Sequence, residues 1–220
     1  MGPIANRTEA GRALAKALSK YAGASDVLVL ALPRGGVPVA CEIARALHAP
    51  VDLLIVRKLG VPGHEELALG AIASGGLRIL NCDVIASHRL RERTIEDVAA
   101  REQREIERRE RAYRGDRPRP TIAGRRVLLV DDGVATGATM RAGIATLRLR
   151  EPSSIVVAVP VAPPETVDVL RAEADEVVCL ETPEPFWAIG QWYEDFGQVS
   201  DDEVRGQLFQ AWAPEKQCQS

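Results

Sequence analysis

The chemistry of this chain concentrates in Val127–Met140, VLLVDDGVATGATM. Four apolar residues run into two carboxylates, Asp131 and Asp132, and then into small residues and threonines without a lysine. Ligands of an open parallel sheet sit beyond the carboxyl ends of its strands, so an apolar strand here would deliver both acids to that edge. Gly133, Val134, Ala135, Thr136, Gly137, Ala138 and Thr139 then curl into the start of a helix. Unpaired amides at that start, with the positive end of the helix dipole, make an anion site. Gly137 lets the backbone approach a ligand, and the hydroxyls of Thr136 and Thr139 can donate to it.

Residue types exclude two other phosphate loops. A triphosphate loop needs GxxxxGK followed by Ser or Thr, and the residue after Gly137 is Ala138. A dinucleotide fingerprint needs GxGxxG, which the stretch also lacks. What remains is one phosphate in the loop beside a group that donates to two carboxylates. Vicinal sugar hydroxyls do so, and the inferred ligand is a ribose 5-phosphate group.

The order apolar strand, Asp-Asp, small loop, Thr-Gly-x-Thr resembles the phosphoribosyl-pyrophosphate (PRPP) signature of the type I phosphoribosyltransferases. The resemblance implies that Asp131 and Asp132 hold the ribose 2′- and 3′-hydroxyls and that residues 133–139 hold the 5-phosphate. Pro33-Arg34-Gly35-Gly36 resembles the family's pyrophosphate loop, which often contains a cis peptide; Gly35 and Gly36 expose amides and Arg34 offers charge-assisted donors. Arg57 and Lys58, placed at the end of the second strand, could bind pyrophosphate or stabilise its departure. The segment Gly60–Gly70, with His64, Glu65 and Glu66, resembles the flexible cover of the family's active site. Trp187–Asp195, WAIGQWYED, resembles the 6-oxopurine transferases; that match implies Phe186 and Trp187 at the acceptor, and Glu194 or Asp195 near a Mg2+ ion. One departure stands against it: those enzymes carry an acid where this chain has Ala135.

The family implies transfer of the 5-phosphoribosyl group from PRPP to a nitrogenous base or related acceptor, with Mg2+ as cofactor and a homodimer as assembly. The alternative is a PRPP-binding sensor or regulator without catalysis. The implied fold is α/β, a doubly wound, mostly parallel sheet flanked by helices with a small hood. One domain over 1–220 is expected, its core about 27–180 and its hood built from 181–200 and the N-terminal segment.

The elements that must position these residues follow from periodicity. Thr8–Tyr21 has helical spacing; Val27–Leu32 is an apolar run of strand length, closed by Pro33-Arg34-Gly35-Gly36; Val37–Leu47 reads as a helix and Val51–Val56 as a strand. Arg57–Gly76 is glycine-rich and reads as a mobile loop with a short strand near Leu67–Ala73, before a further strand at Leu77–Leu80. Arg126–Val130, Ile155–Val159 and Glu176–Leu180 are strands, alternating with helices near Ala138–Arg150 and Glu165–Ala172, and a last helix spans about Asp201–Trp212. Between them Arg89–Arg119 is dense in both charge signs. Its acids nearly match its arginines, which describes a solvated helix laced with Glu–Arg pairs rather than a nucleic-acid-binding one.

Composition agrees. With 28 basic and 31 acidic side chains in 220 residues the net charge is −3, which argues against a general nucleic-acid or membrane-surface binder. Cys41, Cys82, Cys179 and Cys218 form no CxxC pair and read as free thiols of a cytoplasmic protein.

Overall fold

A computed structural model describes residues 2–213, apart from the side chains of Glu65 and Glu66. Five strands make a parallel sheet in the order β2-β1-β6-β7-β8: β1 (Val27–Ala31), β2 (Val51–Leu53), β6 (Arg126–Val130), β7 (Ser154–Val161) and β8 (Glu176–Glu181). Helices α1 (Arg7–Ala17) and α2 (Gly36–Leu47) cover one face, and α5 (Ala138–Arg148) and α6 (Pro164–Glu173) the other. Strand period two explains why the strands read as unbroken apolar runs. Val27, Val29 and Ala31 of β1, with Leu128 and Val130 of β6, pack on the α1–α2 side. Leu28, Leu30, Val127 and Leu129 pack against Met140, Ile144 and Leu147 of α5. A strand buried on both faces has no polar side to show. Each such side chain fully withdrawn from water contributes about 1.5–3 kcal/mol.

The connection from β1 leads through α2 to β2 at one edge, whereas β6 leads through α5 to β7 and β8 on the other side. Adjacent strands whose connections diverge leave a crevice at their carboxyl ends. Ala31 pairs with Val130, so the segments beginning at Leu32 and Asp131 leave the sheet at the same level.

The expected strand Val51–Val56 is divided. β2 ends at Leu53, and Val56 instead begins β3 (Val56–Val61), which pairs antiparallel with β4 (His64–Ala73); β4 in turn pairs antiparallel with β5 (Leu77–Leu80). The division falls beside a buried ion pair: Asp52 accepts from Arg114 Nη1 at 2.9 Å, and Leu53 O accepts from Arg114 Nη2 at 3.4 Å. The expected loop Arg57–Gly76 is therefore mostly a hairpin; the short strand expected near Leu67–Ala73 is part of β4, and the strand at Leu77–Leu80 is β5. The hairpin's glycines serve strand packing as well as turns. A Cβ on Gly70 would lie 2.2 Å from Ile79 O, so glycine lets β5 approach, while Gly63 turns the hairpin at φ 79°.

A short helix α3 (Cys82–Ser87), capped by Asn81, follows β5. The charged segment forms α4 (Glu92–Arg114), with Ile95, Val98, Ile106 and Tyr113 along its buried stripe. Glu105 accepts from Arg108 at 2.8 Å and from Arg109 at 2.7 Å, and these two guanidinium groups pull its carboxyl down to about 2. Helix α7 (Asp201–Trp212) opens on a capping box between Ser200 and Glu203. Cys41, Cys82 and Cys179 are free thiols, and Cys218 lies outside the described residues. Among the described residues no helix is long and apolar enough to cross a membrane.

Candidate active site

The crevice at the ends of β1 and β6 is bounded by two helix starts. α2 begins at Gly36 and α5 at Ala138; their first-turn amides find no partner in their own helix, and at α2 the Gly36 and Val37 amides donate instead to Leu32 O and Arg34 O at 3.1 Å each. Both helices carry their positive dipole ends to this region. Asp131 and Asp132 lie between them in sequence and in space.

Residues 33–36 pack directly against the acid pair. The Pro33–Arg34 peptide is cis. A Cβ on Gly35 would stand 2.0 Å from Asp132 Oδ2, and one on Gly36 would stand 2.7 Å from Val130 O. Glycine is thus demanded at both positions by close approach and not by an unusual φ. Arg34 is 44% exposed and reaches Asp201 Oδ1 at 3.5 Å, a loose tether that leaves its guanidinium able to turn toward an anion. Asp201 also accepts from Tyr113 Oη at 2.7 Å, which pins the acid to α4.

The two acids differ. Asp132 is buried, and its Oδ2 accepts from Arg7 Nε at 2.7 Å. Its backbone carbonyl accepts from Tyr193 Oη at 2.6 Å. Asp131 Oδ1 accepts from the Asp132 amide at 2.9 Å, and among the described residues no cation pairs with it. Burial, followed by the charge of Asp132, holds the Asp131 carboxyl well above the usual carboxylate range.

The loop after the acids is fixed at its flanks and open at its tip. Val134 N donates to Val161 O at 3.0 Å, and Ala135 O accepts from Thr166 Oγ1 at 2.7 Å. Gly133 lies under Ile189, whose Cγ2 would be 2.5 Å from an added Cβ, and Gly137 adopts φ 75°. Ala135, Thr136, Ala138 and Thr139 are exposed. A single phosphate can be wrapped by the amides there and met by the two threonine hydroxyls.

The remaining candidates lie on other elements. Arg57 and Lys58 sit on β3 rather than at the end of a parallel strand, and adjacent strand residues face opposite ways. Arg57 donates to Glu102 of α4 at 2.8 Å, whereas Lys58 lines a cleft of about 790 Å³ between the antiparallel sheet and α5, beside Thr139. The tail after β8 returns to the N-terminal segment: Ile4 N donates to Trp192 O at 2.8 Å, and Glu194 N and Asp195 N donate to Ile4 O and Ala5 O at 2.9 and 3.0 Å. Phe186 stacks on Trp192 with centroids 6.5 Å apart, and Trp187 is 77% exposed. Glu194 and Asp195 are exposed, and Asp195 Oδ1 accepts from Gly197 N at 3.1 Å.

Among the described residues no three His, Cys, Asp or Glu side chains cluster as a metal cage. Mg2+ commonly keeps its waters and takes only one or two carboxylates, so a single acid can contribute to holding it. Asp131, an acid beside the anion loops with no cation partner among the described residues, is the group suited to it.

Sequence reasoning missed Arg7, Tyr193 as a donor to Asp132, and Thr166. Each acts across at least 31 residues of chain, so no local spacing marks it.

Comparison with known proteins shows the family. The model of the phosphoribosyl transferase domain matches residues 3–196. Proteins of two Mycobacterium tuberculosis strains, CDC 1551 and H37Rv, each named "Putative phosphoribosyl transferase", are 47% identical over 199 residues, 90% of this chain. This chain spans only 45% of their length. The crystal structure of TT1426 from Thermus thermophilus is 44% identical, with a TM-score of 0.85 over 96% of this chain and 99% of that one. AQ2163 from Aquifex aeolicus, at 9% identity and a TM-score of 0.51 over 92% of this chain and 85% of that one, shares the fold alone. With a parallel sheet that places Asp131-Asp132 between two helix starts, and with the domain model spanning residues 3–196, the chain belongs to the phosphoribosyl transferase family.

Proposed function

We propose that the protein binds PRPP and transfers its 5-phosphoribosyl group to a nitrogenous base or related acceptor, releasing pyrophosphate. One observation carries this reading. Two helix starts, at Gly36 and Ala138, flank a carboxylate pair, which suits a ligand with two anionic ends and hydroxyls between them. PRPP has that shape.

In the reaction the bond from the anomeric carbon to the pyrophosphate oxygen breaks, and the leaving group keeps the electron pair. A bond to the acceptor nitrogen forms, and the proton of that nitrogen is lost. Residues 135–139 hold the 5-phosphate, and Asp131 and Asp132 orient the hydroxyls and stabilise positive charge growing on the ribose. Arg34, with the amide of Gly35, takes the departing pyrophosphate, while the Gly36 amide stays on Leu32 O at 3.1 Å. Lys58 lines the cleft that also holds Thr139 of the loop, and Arg57 would first have to leave Glu102. Magnesium, when bound, neutralises the leaving group; Asp131 would hold it, with Glu194 and Asp195 as further carboxylates on the tail. Positioning and electrostatics supply the rate, and no side-chain nucleophile is required. Ala135 offers no carboxylate to the acceptor, so Phe186 and Trp187 are left as its apolar contacts.

Incubation with PRPP, Mg2+ and a panel of nitrogenous bases tests the reading. The expected result is pyrophosphate release together with a product heavier than one base by the ribose 5-phosphate group. PRPP binding without turnover on any acceptor would give the sensor reading instead.

A further inference from the structure

Arg7 is the first residue of α1, where a cation opposes the helix dipole. Local preference therefore does not account for it, and its contacts do. Its Nε donates to Asp132 Oδ2 at 2.7 Å, its Nη1 donates to Gly197 O at 2.8 Å, and its guanidinium lies 4.0 Å from the centroid of the Phe196 ring. The pair is almost enclosed, with side-chain exposures of 12% for Arg7 and 11% for Asp132. One cation thus joins the N-terminal helix, the tail and the second acid of the pair. Tyr193, on the same tail, adds its hydroxyl to the Asp132 carbonyl. Ile4 pairs in parallel with Tyr193, so the N-terminal segment and the tail form one cover.

We infer that Arg7 is a positioning residue for the sugar site: it holds Asp132 by one carboxylate oxygen, directs the other toward the crevice, and so couples the cover formed by the N-terminal segment and the tail to ribose binding. The inference rests on the proposed PRPP reading. Its physical basis is that a short carboxylate, pressed against Gly35 and bonded through Oδ2, has one orientation left. Without Arg7, Asp132 is a buried charge with no guanidinium, and it must turn outward or take up water. The two acids then no longer present a fixed spacing to vicinal hydroxyls.

A double-mutant cycle on PRPP dissociation constants, measured calorimetrically with Mg2+, tests this with Arg7→Gln, Asp132→Asn and the pair combined. Each single change is expected to weaken PRPP binding by roughly tenfold or more. The double variant should bind no more weakly than the poorer single one, because both changes remove the same arrangement. Arg7→Lys should recover part of the affinity, since an ammonium keeps the charge but not the second hydrogen bond. Wild-type affinity in Arg7→Gln, or losses that add in the double variant, would overturn the inference while leaving the PRPP reading in place. Absence of PRPP binding by the wild-type protein would overturn both. Thermal unfolding identifies any variant that fails to fold; Arg7→Lys and the isosteric Asp132→Asn then decide the matter against the wild type.

Discussion

Replacing Asp131 and Asp132 together by asparagine is expected to abolish PRPP binding while the protein still folds. A hydroxyl donating to a carboxylate forms a charge-assisted bond, and losing such a bond costs about 1.5–3 kcal/mol. Two such losses correspond to an affinity lower by roughly 10²–10⁴. The fold tolerates the change because the acid pair is an unfavourable place for charge. Burial and Asp132 raise the Asp131 carboxyl above its unfolded value, so the folded state holds its proton more tightly than the unfolded chain does. The stabilisation from that proton is complete below the unfolded carboxylate pKa of about 4 and is lost as pH rises through the higher folded value. At neutral pH an uncharged asparagine at position 131 removes that penalty. Asp132→Asn acts the other way by weakening the bond to Arg7. Calorimetry with Mg2+ reads the affinity and circular dichroism the fold; unchanged affinity in the folded double variant would remove the acids from the site.

The second large effect concerns the two glycines opposite the acids. Gly36→Ala places a Cβ 2.7 Å from Val130 O and 3.0 Å from Asp131 Cα, and backbone cannot swing aside. A loss of about 1–3 kcal/mol in unfolding free energy is expected, together with loss of binding as the loop is pushed from the crevice. Gly35→Ala meets a side chain instead, the Asp132 carboxylate at 2.0 Å. That side chain can turn only by leaving Arg7, so the variant should lose PRPP affinity by about tenfold or more with a smaller change in stability. Denaturant unfolding and PRPP titration on both variants separate the two outcomes. Equal stability losses with intact binding in both would show that the glycines serve only packing.

The parallel core was legible because its strands are buried on both faces and so appear as uninterrupted apolar runs, as at Val127–Val130. The loops at Pro33 and Asp131 were legible for a related reason: an apolar run that stops at glycine or paired acids has to end at the sheet edge. Of the antiparallel sheet, the strands near Leu67–Ala73 and at Leu77–Leu80 were legible and β3 was not, because Gly63 serves a turn and Gly70 a close packing contact, and composition cannot separate the two roles. The placement of Arg57 and Lys58 differs from expectation too: a strand that ends at Leu53 does not carry them to the crevice. Arg7 left no trace in its own segment; the acid it serves lies 125 residues away, and only the folded chain brings them together.

The proposed PRPP site is formed by the loops at 33–36 and 131–139 together. Crystals grown with PRPP and Mg2+ test it most directly. The expected structure has the 5-phosphate among the amides and hydroxyls of residues 135–139, the ribose hydroxyls on Asp131 and Asp132, and the pyrophosphate at Arg34 and Gly35. PRPP bound elsewhere, or a crevice that stays empty at saturating PRPP and Mg2+, would contradict it.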